Sequence, residues 1–217
     1  MISAIAPTGV GPAPARDRAV LEPLTLRPTP DRDAVKAAAA KARSSPRFAA
    51  SDHANTQARE QVRQIVERLK VLRKLFAGDP EAMARALAQV FKDLKAAVQA
   101  YRRAGGEAFG LAAEASASAV GTGDRPMQDA VAREVKTALG EDGRTFVKEL
   151  RSLANDIAKL LETTRTQARG GRPDRRRDEA IEEADQRLAE LRDALHDMEQ
   201  DIRKAAPEAG MRLSIEA

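Results

Sequence analysis

The chain contains no cysteine and no tryptophan, and its 217 residues include a single tyrosine and two histidines. Without cysteine there is no disulfide, no thiolate nucleophile and no zinc–thiolate site. Aromatic residues make up 3% of the sequence, which argues against a sheet core, where rings and β-branched side chains dominate. Long apolar runs are also missing. The nearest approach, Ala108–Gly121, is interrupted by Glu114, Ser116 and Ser118 and falls short of the ~18 residues of a membrane span. No Lys or Arg precedes the apolar start Met1–Ala6, and Pro7 interrupts it, so no secretory signal is expected. Walker and dinucleotide glycine patterns are absent as well.

What is present is alanine, leucine and valine set among charges. Hydrophobic residues make up 42% and charged residues 32%, and the net charge is +4. This composition suits helix packing, and the expected fold class is all-α: antiparallel helical hairpins in an elongated bundle with coiled-coil character. The Ala- and Arg-rich, Asn-poor composition points to a bacterium with a GC-rich genome. The lack of cysteine fits a cytoplasmic protein. A net charge this small does not by itself imply a polyanionic partner.

Seven of the 11 prolines lie in residues 1–50, where apolar content is too thin to offset the entropy of ordering, so a disordered Pro/Ala-rich tail is expected there. Two local features stand out in it: the helix-prone run Asp33–Arg43 and the apolar island Val20–Leu26. An αα-hairpin is expected over 51–104. Its first helix, Asn55–Ala77, carries the seam Val62, Ile65, Leu69, Leu72 and Phe76, widened by Val66 and Leu75. Gly78 is the expected left-handed stop, with Asp79 and Pro80 as cap and first residue of the next helix. The second helix carries Met83, Leu87, Val90, Leu94, Ala97 and Tyr101.

Residues 105–125 read as a Gly/Ala/Ser linker with room for a short weak helix. A helical segment follows over 126–206. It comprises a short helix ending at Gly140, a helix from Gly143 capped by Asp142, and a last helix capped by Asp174. Residues 207–217 form a tail in which Met211–Ile215 alternates like a single strand.

The last helix has the clearest pattern: Leu188, Leu191, Leu195, Met198 and Ile202 are spaced as a heptad seam built to bury one stripe against another helix. Between Asp178 and Asp201 ten carboxylates face only Arg187 and Arg192, a local balance of −8. The stretch Arg59–Lys74 is basic, at +4. The acidic face is therefore expected to meet a basic surface, either the chain's own first helix or another protein. A parallel homodimer through the last helix would set Arg187 against Arg192 of the second copy, so any homo-oligomer is expected to pair otherwise.

Few chemical constellations arise. Asp193 and His196 supply one carboxylate-x-x-His pair where a di-iron bundle needs two. Ser152 and His196 lack the strained turn that a nucleophile requires. No catalytic, cofactor or metal residues are assigned, and a non-enzymatic protein is expected. Arg165, Arg169, Arg172, Arg175, Arg176 and Arg177 crowd the junction before the last helix and are the candidates for anion binding. Two functional classes follow. The first is a helical protein-interaction module, an adaptor, scaffold or chaperone, that engages a partner helix through its stripes. The alternative is a nucleic-acid or anionic-surface binder that uses the Arg-rich loop 165–177.

Overall fold

The computed structural model describes residues 30–121, 123–170 and 173–206. Among them are five helices and no strand: α1 (Arg32–Arg43), α2 (Pro46–Leu75), α3 (Pro80–Val120), α4 (Arg125–Arg169) and α5 (Arg175–Ala205). The protein is all-α. The outermost tail residues, the Val20–Leu26 island and the Met211–Ile215 stretch fall outside the described residues.

Aspartates start most of the helices. Asp79 accepts from Ala82 N at 2.9 Å and Asp174 from Arg176 N at 2.9 Å, as their positions predict. Asp31 and Asp124 cap α1 and α4 in the same way. Each satisfies an amide that the helix leaves without a partner.

α3 is the spine, packing on all four other helices. α2 runs antiparallel to it, with Arg68 facing Asp93 near the closed end and the Ser51 hydroxyl donating to Ala104 O at the open end. α5 runs parallel to α3, as the pairs Lys95–Glu190 and Arg102–Asp197 show, and α4 lies antiparallel to both. At 41 and 45 residues, α3 and α4 are about 60–70 Å long, so the bundle is elongated.

Two cores result. The larger joins α2–α5 through residues such as Leu69, Leu87, Phe91, Leu94, Phe146, Leu150, Ile157, Leu191 and Leu195. The smaller lies at the far end, where Val35, Ala39, Ala42 and Phe48 pack on Ala108, Ala112, Val131 and Val135.

Several expectations need correction, most of them involving alanine or glycine. Residues 32–43 and 46–50, placed in the tail, are helical, and Phe48 is 1% exposed. Residues 105–120, placed in a linker, continue α3. In both cases alanines supply the buried stripe; their small size lets α1, α3 and α4 approach closely. α4 runs unbroken through Gly140 and Asp142, so neither ends a helix. A Cβ on Gly140 would lie 2.6 Å from Ala206 Cβ, and one on Gly143 would lie 2.8 Å from Ile202 Cδ1. These glycines admit the end of α5 rather than stopping α4. Gly78 does not adopt positive φ either. α2 ends because Phe76 leaves helical geometry at φ −110°, and Asp79 N closes the turn onto Phe76 O at 3.1 Å.

Candidate functional site

The heptad seam of α5 is fully engaged inside the bundle. Leu188, Leu191, Leu195, Met198 and Ile202 are all buried, with Leu191 at 0% exposure. They meet α3 and α4, not a free surface. The acidic face of α5 does not meet α2, because α3 stands between them. Its carboxylates pair instead with α3 and α4. Lys95 reaches Glu190 at 2.9 Å and Arg102 reaches Asp201 at 2.6 Å, while Arg151 holds Glu199 and Arg165 holds Asp185. The hydrogen bond from Lys95 holds the Glu190 carboxyl below its ordinary pKa, against a smaller opposing effect of burial. The acidic face expected to receive a basic partner is therefore largely taken up by cations of the bundle itself.

The arginine junction is also largely neutralised. Arg165 binds Asp185 and Glu162, Arg175 binds Glu179 at 2.6 Å, and Arg177 lies 3.6 Å from Asp178. Arg169 and Arg176 have no ion pair among the described residues, and Arg172 lies outside them. Arg165, Arg169 and Arg177 do converge on a cavity of 420 Å³, but Asp178, Glu182 and Asp185 line the same space. Three carboxylates beside three guanidiniums repel a phosphate as strongly as the arginines attract it. Ser152, Asp193 and His196 are exposed and form no cluster. Among the described residues no group of three or more metal-ligating side chains comes together, and no helix is long and apolar enough to cross a membrane.

Two features were not foreseen. One is on α2. Val71 and Leu75 are 54% and 67% exposed, the large apolar side chains most open to water among the described residues. Leu75 was expected to widen the seam, but α2 packs mainly on α3 at this end, so only one stripe of it is covered. Val71 and Leu75 stand one turn apart on one face, with half-buried Leu72 and Phe76 alongside. Arg73 and Lys74, at the same end, have no carboxylate partner among the described residues, whereas Arg63, Arg68 and Lys70 are paired.

The other feature is a cavity of 610 Å³ where the two cores meet. Tyr101 and Phe146 stack there, with ring centroids 4.2 Å apart, and the Arg59 guanidinium lies over both rings at 5.7 and 5.5 Å. Arg59 also donates to Asp142 O at 3.1 Å. Burial raises the Tyr101 pKa, and the adjacent Arg59 cation offsets part of that rise. Asn55 Oδ1 is buried without a hydrogen-bond partner. The spacing of Tyr101 on the second-helix seam was legible in sequence; the convergence of Arg59 and Asn55 on it was not, because it depends on how α2 crosses α3 and α4. The chain matches no protein-family model, no curated protein and no solved structure.

Proposed function

We propose that this chain is a non-enzymatic protein-interaction module whose docking surface is the C-terminal ridge of α2. The observation that carries the reading is the exposed pair Val71 and Leu75, one turn apart on a helix whose last turn holds Arg73 and Lys74, which have no ion-pair partner among the described residues. Apolar side chains flanked by free positive charge fit an amphipathic partner helix with acidic flanks. The apolar stripe supplies affinity, and the charges set register and association rate. The heptad seam of α5 serves as coiled-coil-like packing within the chain. It makes the scaffold rigid and leaves α2 as the element that presents a face. The absence of cysteine and the Ala/Arg-rich composition support a bacterial, cytoplasmic protein.

A double substitution tests this. Val71→Asp with Leu75→Asp alters two exposed positions and should leave helix content and Tm unchanged. It should abolish capture of any partner whose bound segment, mapped by proteolysis and mass spectrometry, is an acid-flanked amphipathic helix. Equal capture by parent and variant would overturn the proposal. Retention of DNA by the parent, with affinity falling steeply as salt rises, would favour the arginine-loop alternative instead.

A further inference from the structure

We propose that the cavity at the junction of the two cores is a binding site for a small amphipathic anion, a carboxylate or sulfonate borne on an apolar body. The argument is independent of the α2 ridge. Gly105 and Gly106 lie in the middle of α3 where the cores meet, and a Cβ on either would touch no atom within 4 Å. Glycine is the poorest helix former after proline, so two in succession inside a 41-residue helix weaken it locally with no close packing to justify them. The consequence is open space. At 610 Å³ it falls in the range of about 300–1,000 Å³ typical of small-molecule sites.

The walls divide by chemistry. Phe109, Leu139, Met198 and Ile202 belong to the apolar part of the lining, and Arg59 and Tyr101 to its polar part. The Arg59 guanidinium carbon lies 5.7 and 5.5 Å from the two ring centroids, and the group makes one hydrogen bond to a backbone carbonyl and no ion pair among the described residues. It carries five N–H donors in a fixed fork, which leaves donors for an anionic oxygen. A phenol, whose ordinary pKa is 10.0, is protonated at neutral pH, so Tyr101 adds an O–H donor beside the guanidinium. The other charges that line the cavity cancel: Arg43 pairs with Asp142 and Arg102 with Asp201, and Lys204 balances Asp52. Arg59 leaves the lining one positive charge in excess, with the Glu149 carboxylate acting on it from outside the lining.

Two dyes of nearly the same shape test the proposal on the full chain: anilinonaphthalene sulfonate, an anion, and phenylnaphthylamine, its neutral relative. Tyr101 is the sole tyrosine and there is no tryptophan, so intrinsic emission reports on this cavity alone. The sulfonate should bind at one saturable site and alter Tyr101 emission. Arg59→Met should weaken the sulfonate about tenfold, the loss expected for one charge-assisted hydrogen bond, and leave the neutral dye unchanged. Gly105→Leu, which fills the space, should weaken both. Sulfonate binding that leaves Tyr101 emission unaltered, or that survives Gly105→Leu, would place the dye elsewhere and overturn the site. Equal loss of both dyes in Arg59→Met would overturn the anionic class. Should Gly105→Leu fail to fold, the Met198 methyl resonance of the parent decides the matter: it shifts on sulfonate addition if the site is correct and stays fixed if it is not.

Discussion

Glycine-to-alanine substitutions in α3 and α4 should differ in sign, and the structure sets the size of the difference. In a helix interior the change gains about 1 kcal/mol from backbone propensity. At Gly110 the new methyl meets nothing within 4 Å, so that gain should appear in full. At Gly140 the methyl would lie 2.6 Å from Ala206 Cβ, and at Gly143 it would lie 2.8 Å from Ile202 Cδ1. Overpacking of this kind costs about 1–3 kcal/mol. Ala206 Cβ is fixed to the backbone, so Gly140→Ala can be accommodated only by moving the end of α5, which gives up the burial of Ala206 and the contact from Arg144 to Ala206 O. At Gly143 the opposing atom is the terminal methyl of Ile202, so a side-chain rotation gives partial relief. The net expectation is a gain of about 1 kcal/mol for Gly110→Ala and a loss of up to about 2 kcal/mol for Gly140→Ala or Gly143→Ala. At about 2–4 °C per kcal/mol for a chain of this size, thermal unfolding followed by circular dichroism resolves the contrast. A rise in Tm of similar size at all three positions would refute the close-approach reading of α4 and α5.

Other consequences are open to measurement. Leu191→Ala should cost about 2–5 kcal/mol by urea denaturation, and Leu191→Asp with Leu195→Asp should unfold the bundle, whereas a folded double variant would mean the seam is not core. Phe48→Ala should cost about 3–5 kcal/mol, and limited proteolysis should spare residues 32–50; rapid cleavage there would contradict the packing of α1 and the start of α2. The pKa of Tyr101 lies above its ordinary 10.0 because burial outweighs the Arg59 cation. The stability this residue contributes is therefore present below pH 10.0 and declines as pH rises through the native value. Ultraviolet titration should place the native midpoint above that of the denatured chain, and Arg59→Met should raise it further. A native midpoint equal to the denatured one would contradict the burial.

Periodicity made the long leucine-bearing helices readable. The stripes of α2, α3 and α5, the caps Asp79 and Asp174, and the antiparallel turn at Pro80 all follow from spacing and side-chain chemistry. The expected tail extends too far because prolines and thin apolar content argue against a core there. The expected linker and stops rest on glycine and alanine, neither of which has a side chain large enough to mark a core position. In α1 and the second half of α3 alanine is the core residue, and in α4 glycine is the contact that admits α5. The seam Leu188–Ile202 looked free only because the sequence could not show that α3 and α4 would both cover it. The exposure of Val71 and Leu75 was illegible for the converse reason: apolar side chains one turn apart signal burial unless the neighbouring helices are known to pass on the other side.

Site-specific photo-cross-linking compares the two surfaces directly. Benzoylphenylalanine is placed at position 75 on the α2 ridge and, in a separate sample, at the exposed position 193 on the acidic face of α5. The account predicts an adduct from position 75 whose partner peptide is an acid-flanked amphipathic helix, and none from position 193. An adduct from position 193 with none from position 75 would contradict it.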